Sequence, residues 1–218
     1  MTPRIQLALD TLDGELALQL AGLAAPYVEI LEAGTPLIKS VGISIVTRLK
    51  TAHPDKLVLA DLKSSDVGAY EAEMAFRADA DIVTTQGITT LATIREVQRE
   101  ATAWMRRAEV DMTGVANPLA RGEEVQAAGV SLVLYHRSID EEVTQGANWD
   151  DQACRTVQAL CDLGLDVAIA GGLTSAILPR LGACRLYAVV VGRGITAQPD
   201  PAAAAAALAH QLQTIWPN

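Results

Sequence analysis

Short apolar, β-branched runs recur along the chain at Ile5–Leu9, Val28–Leu31, Leu57–Leu62, Asp81–Thr84, Glu109–Met112, Ser131–Tyr135, Asp166–Ile169 and Leu186–Val191. Runs of this length predict strands buried on both faces. Between them apolar residues fall at helical spacing, as at Leu16, Leu20 and Leu23, at Ile45 and Leu49, and at Val157, Leu160 and Leu163. A last helix is predicted by the alanine run from Ala202 to Ala207 and the residues that follow it. Eight strand–helix units in 218 residues, about 27 residues each, point to a parallel α/β fold. With no signature of a second sheet and no linker, the expectation is a single domain over residues 1–218, a small (β/α)8 (TIM) barrel, with an open doubly wound sheet as the alternative. Its loops must be short, because this fold usually takes about 250 residues.

Composition narrows the function classes. Half the residues are hydrophobic and the formal net charge is 17 − 26 = −9, which excludes a disordered chain and offers no basic stripe for a nucleic-acid backbone. Small anionic substrates remain open, since helix N-termini and one or two cations make a local positive patch. Cys154, Cys161 and Cys184 fit no metal-ligand spacing and read as reduced thiols. The start Met1-Thr2-Pro3-Arg4 runs straight into a strand with no export signal, and the alanine run is too short to cross a membrane. A cytoplasmic protein is expected.

Polar residues or glycines sit at seven of the eight strand ends: Asp10, Glu32, Asp61 with Lys63, Asp111, His136, Gly171-Gly172 and Gly192-Arg193. In a barrel these ends converge on one rim, where this fold builds its active sites. Helix capping is the plainer explanation for an isolated Asp, but it explains little at Lys63 and His136. In Asp61-Leu62-Lys63-Ser64-Ser65-Asp66, Asp61 and Lys63 share a strand face while Asp66 lies on the following loop or helix. A lysine held among carboxylates stays protonated and reads as an electrostatic stabiliser; a surface salt-bridge cluster is the alternative. Glu32 and Asp61, at neighbouring strand ends, form a donor pair of the kind that holds Mg²⁺. Gly171-Gly172 and Gly192-Arg193 follow the last two strands, the customary phosphate site of the fold, though ordinary turns would also use glycine there. His136 stands at the rim beside the loop 140–148 and is a candidate acid–base group. His53 and His210 are given no role.

With these residues the chain resembles, nearly end to end, the group of the orotidine monophosphate decarboxylase superfamily that contains 3-keto-L-gulonate-6-phosphate decarboxylase and 3-hexulose-6-phosphate synthase. The resemblance rests on Asp61-x-Lys63-x-x-Asp66, on Leu7-Ala8-Leu9-Asp10 and Glu32-Ala33-Gly34-Thr35, and on the two glycine loops. It implies a homodimer in which Asp66 acts across the interface, and Mg²⁺ held by Glu32 and Asp61. It also implies a cis-enediolate made from a sugar phosphate, with Lys63 stabilising the oxyanion; Asp10, Asp111 and His136 complete the catalytic set. Tyr135-His136-Arg137-Ser138, Gly146-Ala147-Asn148-Trp149 and Arg193 resemble the decarboxylases. Asp111 where those carry Glu, Ile139 where they carry Arg, Ala170 where they carry Thr, and Gly34-Thr35-Pro36-Leu37-Ile38 resemble the synthases. Decarboxylation of 3-keto-L-gulonate 6-phosphate is the expectation, with addition of formaldehyde to D-ribulose 5-phosphate as the alternative. A barrel that only binds a sugar phosphate would have no need of so charged a cluster, and a metal-dependent epimerase would want more than three histidines.

Overall fold

A computed structural model describes residues 1–141, 144 and 149–217. Gly146, Ala147 and Asn148, three of the positions compared above, lie outside the described residues. Eight parallel strands close into a barrel in sequence order: β1 (Arg4–Leu9), β2 (Ile30–Ala33), β3 (Leu57–Ser64), β4 (Ile82–Gln86), β5 (Arg107–Asp111), β6 (Leu132–His136), β7 (Asp166–Ala170) and β8 (Leu186–Val191). β8 pairs back onto β1 through Val189 and Ile5. The fold is the expected (β/α)8 barrel. No helix among the described residues is long and apolar enough to cross a membrane.

The outer layer comprises α1 (Gly14–Ala24), α2 (Thr35–Val41), α3 (Ser44–Ala52), α4 (Gly68–Arg77), α5 (Leu91–Ala103), α6 (Pro118–Ala127), the short turn α7 (Ile139–Glu141), α8 (Asp151–Asp162), the four-residue α9 (Arg193–Thr196) and α10 (Pro201–Ile215). Strand residues of one parity meet these helices in the main core, while Ala8, Ile30, Leu59, Ile82, Leu132, Leu134 and Val190 fill the barrel interior. That is why the strands read as continuous apolar runs.

Helix starts are fixed by residues other than those at the rim. Asp13, Thr90, Asn117, Asp150 and Asp200 accept first-turn N–H groups of α1, α5, α6, α8 and α10. Asp10, Glu32, Asp61, Asp111 and His136 cap none of these helices, so the capping explanation of the rim residues fails. Helix α1 differs from its expected packing. Its buried face is Gly14, Ala17, Ala21 and Ala24, whereas Leu16 and Leu23 are exposed. Alanines allow the helix to lie close to the sheet, and the leucines at equivalent spacing are carried outward.

Strand β3 is irregular where it matters. Ala60 pairs with Val83 and Ser64 with Thr85, so four residues of β3 advance against two of β4. Within this bulge Lys63 has φ 49°, a left-handed conformation that costs a non-glycine residue about 1 kcal/mol or more. The Thr84 hydroxyl holds it there by accepting the Lys63 N–H at 2.9 Å.

Candidate active site

At the C-terminal rim a cavity of about 710 Å³ is lined by Asp10, Glu32, Asp61, Lys63 and His136 and by Gly171, Gly172, Gly192 and Arg193. Ten of the residues expected at the site are thus brought together once Asp111, which lies directly behind Lys63 and His136, is included. Asp66 is the exception. It does not line this cavity; its carboxylate accepts the Val67 N–H at 2.8 Å. The second acid beside Lys63 is therefore Asp111 from β5, a pairing that reading along the β3 segment could not supply.

Lys63 Nζ lies 2.6 Å from Asp111 Oδ2 and 3.1 Å from Asp61 Oδ2. Burial alone would lower this ammonium, but the charges of Asp61 and Asp111 outweigh it and hold Lys63 above the usual lysine range. The lysine is a fixed cation. Burial likewise opposes ionisation of Asp111, yet the hydrogen bond with His136 and the Lys63 charge keep its carboxyl well below the usual range.

Asp111 also orients His136, whose Nδ1 lies 3.1 Å from Asp111 Oδ2. Between an ionised carboxylate and a ring nitrogen the proton belongs on Nδ1, which leaves Nε2 to the cavity. The other carboxylate oxygen, Oδ1, accepts the Thr113 N–H at 2.9 Å and its hydroxyl at 2.6 Å. Asp61 is clamped in the same way. The Thr35 hydroxyl reaches Oδ2 and the Thr84 hydroxyl reaches Oδ1, each at 2.7 Å. Thr84 therefore both supports the strained Lys63 backbone and orients its partner acid.

Glu32 and Asp61 deliver carboxylates to the cavity from adjacent strands. Among the described residues no group of three or more His, Cys, Asp or Glu converges to hold a metal by itself. Two carboxylates on neighbouring strands are a donor set that would fit a hard cation which retains water and takes further oxygens from a ligand, as Mg²⁺ does. Electrostatics agree. Burial, then the negative charges of Asp61 and Asp10, push the Glu32 carboxyl well above its ordinary range. Burial and the Asp61 charge also raise Asp10. A divalent cation held among these acids would relieve both.

The ends of β7 and β8 suit a phosphate. Gly171 and Gly172 both take positive φ, and a Cβ on Gly171 would run into the Arg137 carbonyl oxygen. Trp149 fixes this loop by donating its indole N–H to the Gly171 carbonyl at 2.7 Å. Arg193 brings a positive charge that acts on Asp10 at the end of the neighbouring strand. Ile139 also lines the cavity, apolar and half exposed.

Known proteins resemble this chain in sequence and fold. Residues 3–208 match the model of the Orotidine 5'-phosphate decarboxylase / HUMPS family. The chain belongs to that family. The 3-hexulose-6-phosphate synthase of Mycobacterium gastri is 38% identical over 202 residues, 93% of this chain and 96% of that one. A 3-keto-L-gulonate-6-phosphate decarboxylase of Escherichia coli (strain K12) is 32% identical over 214 residues, 98% of this chain and 96% of that one. The crystal structure of a ligand complex of KGPDC from Streptococcus mutans superposes with a TM-score of 0.95 at 28% identity, covering 99% of this chain and all of that one. Membership makes this protein an enzyme of the lyase type, as both named relatives are.

Several residues of this HUMPS-type site escaped the sequence reading. Thr84 shares the inward face of β4 with Ile82, on the one strand whose end had no candidate, and strand parity could have found it. Gln6 and Glu109 lie four and two residues before Asp10 and Asp111 on the same faces, and their apolar surroundings hid them.

Proposed function

We propose that the protein is a Mg²⁺-dependent carbon–carbon lyase of sugar phosphates that works in the aldol direction, joining formaldehyde to D-ribulose 5-phosphate as 3-hexulose-6-phosphate synthases do. The observation that carries the choice is the pairing of the short acid Asp111 with both Lys63 and His136, beside an apolar Ile139 at the cavity wall. A substrate carboxylate would meet Asp10, Glu32 and Asp61 without a cation at position 139 to offset them. Formaldehyde is neutral and small and needs no such cation. This reverses the order expected from the sequence, and the higher identity to the synthase of Mycobacterium gastri points the same way.

In this reading the phosphate rests against Gly171, Gly172, Gly192 and Arg193. His136 Nε2 removes a proton from C1 of the keto sugar, and the C–H electron pair moves toward the C2 oxygen to give an enediolate. Lys63 stabilises that developing negative charge from a preorganised position. C1 then attacks the formaldehyde carbon, and the new alkoxide takes the proton back from His136. Mg²⁺, held by Glu32 and Asp61, would polarise the keto oxygen as a Lewis acid.

Decarboxylation of 3-keto-L-gulonate 6-phosphate is the second reading, favoured by Tyr135-His136-Arg137-Ser138 and Arg193. A homodimer belongs to either reading. Val67, Tyr70 and Met74 are exposed apolar residues on α4 and its start, next to Asp66. A second copy over them would carry Asp66 into its neighbour's site.

A parallel assay of the purified protein decides the order. Formaldehyde consumption with ribulose 5-phosphate is expected to exceed CO₂ release from 3-keto-L-gulonate 6-phosphate by at least about tenfold, and excess chelator is expected to stop both. Faster CO₂ release would restore the decarboxylase, and full turnover in chelator would remove Mg²⁺ from the reading.

A further inference from the structure

Beneath the rim the barrel interior contains polar groups for which the lyase chemistry has no use. Following the strand register around the barrel, with its shift of one residue per strand, places Gln6, Leu59, Glu109 and Ala168 of β1, β3, β5 and β7 in one layer. Glu32 and Thr84 belong to the layer above. Gln6 and Glu109 are each 1% exposed. Gln6 Nε2 donates to Glu32 Oε2 at 2.7 Å, but Gln6 Oε1 and both carboxyl oxygens of Glu109 have no hydrogen-bond partner within the protein. A buried group left this way costs about 1–3 kcal/mol, so native structures satisfy such atoms.

The two residues complement each other if the acid keeps its proton: an amide oxygen wants a donor, and a neutral carboxyl is one. Burial, then the negative charges of Asp111 and Asp61, push Glu109 up to about 8, which favours that neutral form. In this layer Ala168 contributes little side-chain volume, and a water between the opposite strands would be the natural partner for the unpaired atoms of both residues.

We propose that Glu109 is a positioning residue for the metal ligand Glu32: through ordered water it donates to Gln6 Oε1, and so fixes the Gln6 amide with Nε2 toward Glu32. Turned over, that amide would set its oxygen against the ionised carboxylate that Glu32 must present to a cation, two acceptors with no proton between them. The inference rests on the reading of Glu32 as a Mg²⁺ ligand. It assigns to β5 a role in the metal site that no contact with the metal would reveal.

The test is Mg²⁺ binding to the metal-free, substrate-free protein by calorimetry. Glu109→Gln keeps a donor and is expected to bind within about twofold of the parent. Glu109→Leu and Gln6→Leu each lose the line to Glu32 and are expected to weaken Mg²⁺ about tenfold, the scale on which groups behind a metal ligand act. The double variant should be no weaker than Gln6→Leu alone. Glu109→Met replaces Glu109→Leu if the latter does not fold. Glu32→Gln is the control. If it abolishes binding while Glu109→Leu binds as the parent does, the positioning role is overturned and the metal site stands. If Glu32→Gln itself binds normally, the metal reading fails and this inference with it. Equal weakening in Glu109→Gln and Glu109→Leu would also overturn it, because the donor would not be what matters.

Discussion

Asp111 Oδ2 lies 2.6 Å from the Lys63 ammonium, so a residue of β5 holds in place a residue of β3 whose own backbone is strained. The same oxygen orients His136. Asp111 therefore couples the fixed cation to the acid–base group, and removing its charge should disable both. Asp111→Asn is expected to lower kcat by ~10²–10⁴-fold with a much smaller change in KM, since neither partner binds the resting substrate through Asp111. A kcat within about threefold of the parent, measured by formaldehyde consumption, would disprove the coupling.

Lys63→Ala removes the cation and leaves Asp61 and Asp111 facing each other. Turnover is expected to fall by ~10³-fold or more, the loss typical of a preorganised charge at a developing oxyanion. The barrel is expected to persist, because Lys63 lies outside the apolar clusters that hold it. Circular dichroism and steady-state kinetics together check this. A folded variant with near-normal turnover would take lysine out of the mechanism.

Folding stability should carry opposite pH signatures from two acids of β5. Glu109 is raised to about 8 in the folded state. Its contribution is therefore complete below the unfolded carboxylate pKa of about 4.3 and is lost as pH rises toward 8, by up to about 1.4 kcal/mol per pH unit. Asp111 is depressed, so its contribution is present above the unfolded value and lost only as pH falls below about 4. Urea unfolding of Glu109→Gln and the parent between pH 5 and 8 should show the variant gaining relative stability with pH. A constant difference would mean that Glu109 is not protonated in the fold.

How much of this was legible in the sequence follows from the geometry of strand ends. Asp61, His136 and the glycine pairs announced themselves because a parallel barrel gathers every strand end on one rim. Thr84 did not, since a threonine in a strand is equally a good β residue, and only the register shows which carboxylate its hydroxyl meets; Thr35 at the start of α2 and Thr113 in the turn after β5 did not, since threonine is ordinary at such places. The left-handed Lys63 was illegible for another reason. Nothing in Leu62-Lys63-Ser64 marks a bulge, which arises from the pairing of β3 with β4. The leucines of α1 misled in the reverse sense, because the periodicity of large residues is silent about alanines that pack more closely.

Asp66 offers the sharpest test of assembly, because its own protomer gives it no place in the cavity. If it completes a neighbouring site, each site of a dimer needs Lys63 from one chain and Asp66 from the other. Lys63→Ala and Asp66→Ala proteins would then be inactive alone, while a hybrid of the two would contain one intact site and one doubly altered site. Random exchange in an equal mixture makes half of the dimers hybrid, so roughly a quarter of the parent activity should return. If native mass spectrometry demonstrates hybrids and the mixture stays inactive, Asp66 does not act across the interface, and exposed Val67 and Tyr70 require another explanation.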